Sequence, residues 1–235
     1  LQTSGIRGRI GEVVSRGLLK TPAIIRSHGG RVRAIESGEL KIDVAFIGAP
    51  SSDCCGNARG QGGKNNCGVL SYAMADAKYA DHVVIITDTL VDYPNYPPSI
   101  EEIDVDCVVV VDEIGNVAKI AGQATRYTKN PRDLMMAQMC TKVMEATPYF
   151  KDEFSFQTGA GGPSLAVNRF LEPLLKKYDY RISWIIGGIS KPAVDMLENG
   201  LVRTIVDTQD FDVPSLESVH RHPRHYEIST AQYAS

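Results

Sequence analysis

Three short apolar runs, IDVAFIGAP (Ile42–Pro50), HVVIITDTL (His82–Leu90) and DCVVVVDEI (Asp106–Ile114), set the fold class. Each is rich in β-branched residues and nearly continuous in hydrophobicity, the pattern of strands buried on both faces of a largely parallel sheet. Parallel neighbours need a crossover, and GVLSYAMADAKYA (Gly68–Ala80) between the first two runs is a suitable helix. The alternation then starts again. In NPRDLMMAQM, Asn130 can cap and Pro131 can take the first helical position, so a helix is expected to about Thr147. After it come a strand in FSFQTG, a helix over Ser164–Lys177, a strand in YRISWIIGG, a short helix in KPAVDMLENG ending at Gly200, and a strand in LVRTIVDT. The expectation is an α/β fold in two blocks, 1–129 and 130–235, divided by Gly115–Pro131, which lacks a long apolar run.

Composition removes several function classes. A net charge of -3 over 235 residues gives no general attraction to nucleic acid or anionic lipid. No run approaches the roughly 20 apolar residues that span a bilayer, and Leu1–Gly17 is too polar for a secretory signal. A cytoplasmic protein with neither nucleic acid nor membrane as partner is expected. Cys54, Cys55, Cys67, Cys107 and Cys140 are an odd set without CxxC spacing, which predicts reduced thiols. The start at Leu1 and the close on YEISTAQYAS read as an excised piece of a longer chain.

The glycine loops are the candidates for chemistry. FSFQTGAGGPSLAV sets Gly159, Ala160, Gly161 and Gly162 between a strand and a helix. Glycines let backbone N–H groups approach a ligand closely, and a helix N-terminus favours an anion. The stretch is neither GxGxxG nor a P-loop, so on its own a tight structural turn is an equal reading. APSSDCCGNARGQGGKNNCG (Ala49–Gly68) also follows a strand and is too long for a mere connection. GGIS (Gly187–Ser190) follows a third. Three glycine loops at strand ends point to one extended anionic ligand.

The segments SHGGRVRAIESGELKIDVAFIGAPSSDCCGN, CGVLSYAMADAKYADHVVIITDTLV, VDCVVVVDEIGN, FSFQTGAGGPSLAV and HPRHYEIST together resemble the α-subunit family of bacterial citrate lyase over nearly the whole chain. The resemblance implies a CoA-transferase-like fold of two related α/β domains with largely parallel sheets, facing each other across an active-site cleft. Family members are longer, so residues 1–129 are expected to carry the latter part of the first domain and 130–235 the early part of the second. It also implies an activity: acetyl on the CoA-like prosthetic group of an acyl carrier is exchanged for citrate, giving citryl-carrier and acetate. The partners so implied are the β (lyase) and γ (acyl carrier) subunits, with citrate, acetate and acetyl-CoA as small molecules. Citramalate lyase α subunit and a generic acyl-CoA transferase are the neighbouring readings. A non-catalytic ligand-binding or scaffold module, and a sugar-phosphate isomerase on the related fold, are readings of other classes.

Within that resemblance, Gly159–Gly162 are candidates for the oxyanion or the pantetheine arm, with Gln157 and Thr158 beside them and Gly56 and Asn57 approaching from the other domain. Many related CoA transferases carry a nucleophilic glutamate after the strand that corresponds to SWIIGGIS. Here Gly187-Gly188-Ile189-Ser190 stands in its place. Gly188 and Ser190 therefore join the catalytic candidates, and citrate's own carboxylate is the expected nucleophile. Glu198 lies further on, in a helical pattern, and reads as solvated.

Several residues have bland alternatives. His28, with Arg26, Arg31 and Arg33 in RSHGGRVR and with Gly29 beside it, can clamp citrate carboxylates or bind carrier phosphates, and equally can form an ordinary basic loop. His220, His222 and His225 look like a metal cluster, but Pro223 breaks helical facing and no cysteine or carboxylate completes a known spacing. No metal is expected on this chain. DTQDFD (Asp207–Asp212) reads as a strand end facing the cleft, and Cys54-Cys55 as structural cysteines. Incomplete domains would leave sheet edges unpaired, so self-association is expected.

Overall fold

The expected crossover helix and its flanking strands form as the hydrophobic pattern demands. The computed structural model describes residues 1–6, 8–120, 127–159 and 161–234. In chain order the elements are β1 (Gln2–Thr3), α1 (Gly8–Ser15), β2 (Ile24–Ile25), α2 (His28–Glu36), β3 (Ile42–Gly48), β4 (Ser51–Ser52), β5 (Ala58–Arg59), α3 (Ser71–Tyr79), β6 (Ala80–Thr87) and β7 (Cys107–Val110). They continue with α4 (Pro131–Glu145), β8 (Phe154–Phe156), α5 (Gly162–Tyr178), β9 (Ile182–Ile189), α6 (Lys191–Glu198), β10 (Val202–Asp210), α7 (Val213–Arg221), β11 (His225–Glu227) and α8 (Thr230–Tyr233).

Two parallel sheets organise the chain, one ordered β3-β6-β7 and the other β11-β10-β9-β8. Each runs in sequence order with no reversal. Since parallel crossovers are right-handed almost without exception, such an order places every crossover helix on the same side. The cores agree. Leu171 and Leu175 of α5 and Ala193, Val194, Met196 and Leu197 of α6 share one buried cluster with Ile182, Ile185, Ile189, Val202 and Ile205 of the sheet. In the first sheet Ala45, Ile47, Val83 and Ile85 pack with Ala77 of α3.

That arrangement corrects one expectation. The first sheet is not buried on both faces: Phe46 is 70% exposed and Val44 43%, and Val109 and Val110 also reach solvent. Continuous hydrophobicity suits a strand covered on one face as well as on two, and the strand order leaves the face opposite α3 open. Asn130 caps α4 through its side-chain oxygen, which accepts from Arg132 N, and Pro131 opens the helix as expected. The helix after the glycine loop begins at Gly162, two positions before the expected Ser164, so the last glycine belongs to its first turn. The dividing segment includes 121–126, which lie outside the described residues. No helix among the described residues is long and apolar enough to cross a membrane.

Candidate active site

Gly161 is the N-cap of α5, with φ -69° and ψ 152°, and no side chain caps the helix. Its carbonyl accepts from Leu165 N at 2.8 Å. A first turn without a side-chain cap and without acidic residues leaves its amide groups and the positive end of the helix dipole available to an anion. A Cβ on Gly161 would meet nothing within 4 Å, on Gly159 it would only touch Ser164, and on Gly162 it would press on Thr128. Ala160 lies outside the described residues. Between α4 and α5 a groove of about 320 Å³ runs to this loop, lined by Met136, Cys140, Phe156 and Val167 and reaching Thr158 and Gly159.

Gln157 and Gly187 meet at the neighbouring strand ends. Gly187 has φ +114°, a region side chains rarely adopt, and a Cβ there would strike Gln157 Nε2 at 2.6 Å. Gly188 lies against the Phe211 ring, which a Cβ would overlap. Ser190 is buried at the start of α6 and makes no side-chain cap bond. Gln157 Nε2 donates to Tyr233 Oη at 2.7 Å, which brings in α8. The next residue, Ala234, sits against Gly29, where a Cβ would come to 2.5 Å. Tyr72 Oη and His28 Nδ1 are 2.9 Å apart, and burial, followed by the nearby Tyr233, pushes the Tyr72 phenol up. A polar chain His28–Tyr72 therefore lies beside Tyr233–Gln157, joining α2 and α3 of one block to α8 and β8 of the other.

The fold thus gathers Gln157, Gly187 and Gly188 with one another, and His28 and Gly29 with the α8 end of the same region. Tyr72 and Tyr233 are the additions that sequence reading missed. Single tyrosines in otherwise ordinary helical stretches give no signal until the chain closes on itself. Arg31 is engaged in an ion pair with Asp76 at 2.6 Å. Gly56 and Asn57 belong to a different constellation: Asp53 Oδ1 accepts from the amides of Cys55, Gly56 and Asn57, and Asn57 Nδ2 donates to Asp53 Oδ2 and to Glu102 Oε2. Cys54 and Cys55, read as structural, are exposed with their sulfurs 3.9 Å apart, and all five cysteines are free thiols. Glu198 is exposed at the end of α6, as its helical pattern predicts.

The three histidines do not converge. His220 is exposed and His222 Nδ1 accepts from Arg224 N, while His225 is 2% exposed. What surrounds His225 comes from DTQDFD, which does not face an open cleft: Asp207, Asp210 and Asp212 are 0%, 8% and 6% exposed. His225 Nε2 lies 3.0 Å from Asp207 Oδ2 and Nδ1 2.9 Å from Ser218 Oγ. Burial pushes the Asp207 carboxyl up to about 7 and the His225 imidazole down to about 4. Burial and then Asp207 push the Asp210 carboxyl well up. The carboxylates that the histidine spacing lacked are supplied by β10, the parallel neighbour of β11.

Comparison with known proteins accounts for this architecture. The family profile described as citrate lyase, alpha subunit, matches residues 1–235. The chain is 52% identical over 235 residues to the citrate lyase alpha chain of Klebsiella pneumoniae, covering all of this chain and 46% of that protein. It is 50% identical to the Escherichia coli alpha chain, again over 46% of the relative. The chain thus spans about half the length of the curated relatives it matches. Among solved structures, the alpha subunit of citrate lyase from Streptococcus mutans, in complex with citrate, superposes with a TM-score of 0.95 at 55% identity, over all of this chain and 46% of that one. A 4-hydroxybutyrate CoA-transferase from Porphyromonas gingivalis shares the fold at TM-score 0.60 and 16% identity, over 97% of this chain and 56% of its own. By sequence over its whole length and by fold, the chain belongs to the citrate lyase alpha subunit family.

Proposed function

We propose that this chain forms part of a citrate:acyl-carrier transferase, in which citrate replaces the acetyl group on a carrier thioester. The observation that carries the reading is the α5 N-terminus, uncapped at Gly161 and set at strand ends where Gly187 and Gly188 offer no carboxylate. In the exchange, a citrate carboxylate oxygen attacks the acetyl carbonyl carbon, the C–S bond breaks, and a mixed anhydride and a thiolate result. The thiolate then attacks the citryl carbonyl, the anhydride C–O bond breaks, and acetate leaves. Each tetrahedral intermediate carries an oxyanion, and the amides at Gly161 and Gly162 suit it. A donor so placed is worth about 3–4 kcal/mol by the usual measure of oxyanion holes.

The groove between α4 and α5 has the apolar lining that a pantetheine arm needs, and it opens at Gly159. In this reading the prosthetic group of the γ subunit enters there, the β subunit cleaves the citryl product, and the complex works in the cytoplasm. His28 and Gly29, at the N-terminus of α2, suit a carboxylate or phosphate of the ligands. The two blocks, divided near residue 129, act as halves of one cleft. The test is exchange of labelled acetate into acetyl-CoA by the protein at its natural length. Label incorporation is expected; a folded protein that incorporates none overturns the reading.

A further inference from the structure

Asp207, Asp210 and His225 each bring one donor atom into a space in which all these atoms lie within 4.8 Å of one another. The cluster is outside the glycine loop and has no part in the exchange proposed above. Both oxygens of Asp210 are buried without a hydrogen-bond partner. The Ser215 hydroxyl donates to Asp212 O at 2.9 Å, and its closeness to Asp210 offsets the effect of burial on that carboxyl only in part. Asp207 pairs with His225, and among the described residues no lysine or arginine pairs with either carboxylate. Glu227 adds a further acidic group to the field at Asp207. Asp207 accepts from Gln209 N at 2.8 Å and faces His225, whereas Asp210 has no such partner, and an unpaired buried carboxylate is costly.

We propose that Asp207, Asp210 and His225 bind one divalent transition-metal ion, of the Zn2+ or Mn2+ kind, at the seam between the two sheets. The donor set selects the class. Carboxylates alone would suit Mg2+ or Ca2+, but an imidazole favours a borderline ion, and the lack of thiolate argues against the soft ones. Metal–ligand bonds of about 2.0–2.2 Å put tetrahedral donors about 3.3–3.6 Å apart, within the spread of the cluster. Binding the ion calls for the tautomer with the proton on Nδ1, donating to Ser218 Oγ, which frees the Nε2 lone pair, 3.0 Å from Asp207 Oδ2, for the metal. Gly68 closes the site from the other block: a Cβ there would collide with the Asp210 carboxylate. The bound ion holds the end of the Ala49–Gly68 loop against β10.

The test uses the protein at its natural length, stripped with a chelator and re-equilibrated with Zn2+ or Mn2+ alone. Metal content by mass spectrometry should show one equivalent per chain that survives gel filtration, with a Tm that rises with metal concentration. Asp210→Asn should lose that equivalent and the Tm response. Ser218→Ala, which keeps all the ligands, should bind about 10–100-fold more weakly. If the wild type holds no more metal than Asp210→Asn, the two carboxyls share a proton instead and the proposal falls. Should Asp210→Asn fail to fold, unchanged affinity in Ser218→Ala overturns it equally.

Discussion

Ser99 Oγ donates to Glu227 Oε2 at 2.5 Å, a bond between residues 128 positions apart that ties the loop before β7 to the end of β11. The other oxygen of the same carboxylate accepts from Leu70 N. Burial pushes the Glu227 carboxyl up, and these two donors oppose it. Around them Ser71 Oγ meets Thr230 Oγ1 at 3.2 Å, and Asn66 Nδ2 donates to Leu216 O at 3.3 Å. The two sheets therefore meet through directional polar bonds at the strand ends.

Glu227→Ala removes the acceptor for a partly buried amide and a hydroxyl together. It should destabilise by about 2–4 kcal/mol, against about 1 kcal/mol for Ser99→Ala, which leaves the Leu70 bond intact. Urea unfolding at neutral pH measures both. Equal losses would mean that the Leu70 amide contributes nothing to the seam.

Asp53 sets an acid limit on stability. It is fully buried, and burial alone would raise its pKa; the Asn95 amide, the Asn57 side chain and the amides of Asn57 and Cys55 outweigh that and lower it. A folded-state pKa below the unfolded value, about 3.9, means that the contribution is fully present above that value. It is lost as pH falls through the folded pKa. Stability should therefore decline below about pH 4, and Asp53→Asn should flatten this part of the profile. Urea midpoints from pH 5 to 2 in both proteins decide it, and parallel profiles would refute the assignment.

Much of this was legible in the chain. The strands β3, β6, β9 and β10 and the Asn130 cap follow from local pattern, because period and capping chemistry are local properties. Strand order is not local, so the open face carrying Phe46 was invisible: the same hydrophobic run serves a strand covered on one face or on two. The glycine loop at Gly159–Gly162 stands out as a candidate because glycine beside a helix start is a signal in itself. Tyr233 was not, because its contact with Gln157 joins residues 76 apart and depends on how α8 docks. The pairing of Asp207 with His225 was missed for the same reason, since it needs β10 and β11 to be neighbours.

Gly161→Val separates chemistry from folding. The position is open, with a negative φ and nothing within 4 Å of an added Cβ, so the variant should fold, losing about 1 kcal/mol because valine is a poorer N-cap than glycine. Crowding the amides should nonetheless lower acetate exchange by about 100-fold or more, the usual cost of losing an oxyanion donor. Exchange at the wild-type rate in the folded variant would remove Gly161 from the site.

Direct transfer also makes a chemical prediction. With Gly187-Gly188 where a nucleophilic glutamate would stand, acetyl-CoA supplied alone should leave no enzyme-bound thioester. Borohydride or hydroxylamine trapping followed by peptide mass spectrometry should find every Asp and Glu unmodified. One carboxylate converted to an alcohol or a hydroxamate would replace direct transfer with a covalent route.

The open face of the first sheet governs how the 235-residue chain behaves alone. Register places Phe46, Val84 and Cys107 in one row across β3, β6 and β7, with Ile86 and Val109 in the next row on that face. With Phe46 70% exposed and Val44 43%, the patch is continuous rather than scattered. Burying one such aromatic contributes about 1.5–3 kcal/mol, against an association cost of about 4–15 kcal/mol, so several of these residues must act together. The isolated chain is therefore expected to self-associate at micromolar concentration. Phe46→Glu should weaken association about 10–150-fold, the same free energy expressed as Kd, while leaving the α3 side of the sheet intact. Light scattering across a dilution series reads both proteins, and a wild-type chain that stays monomeric would show that this face needs no cover.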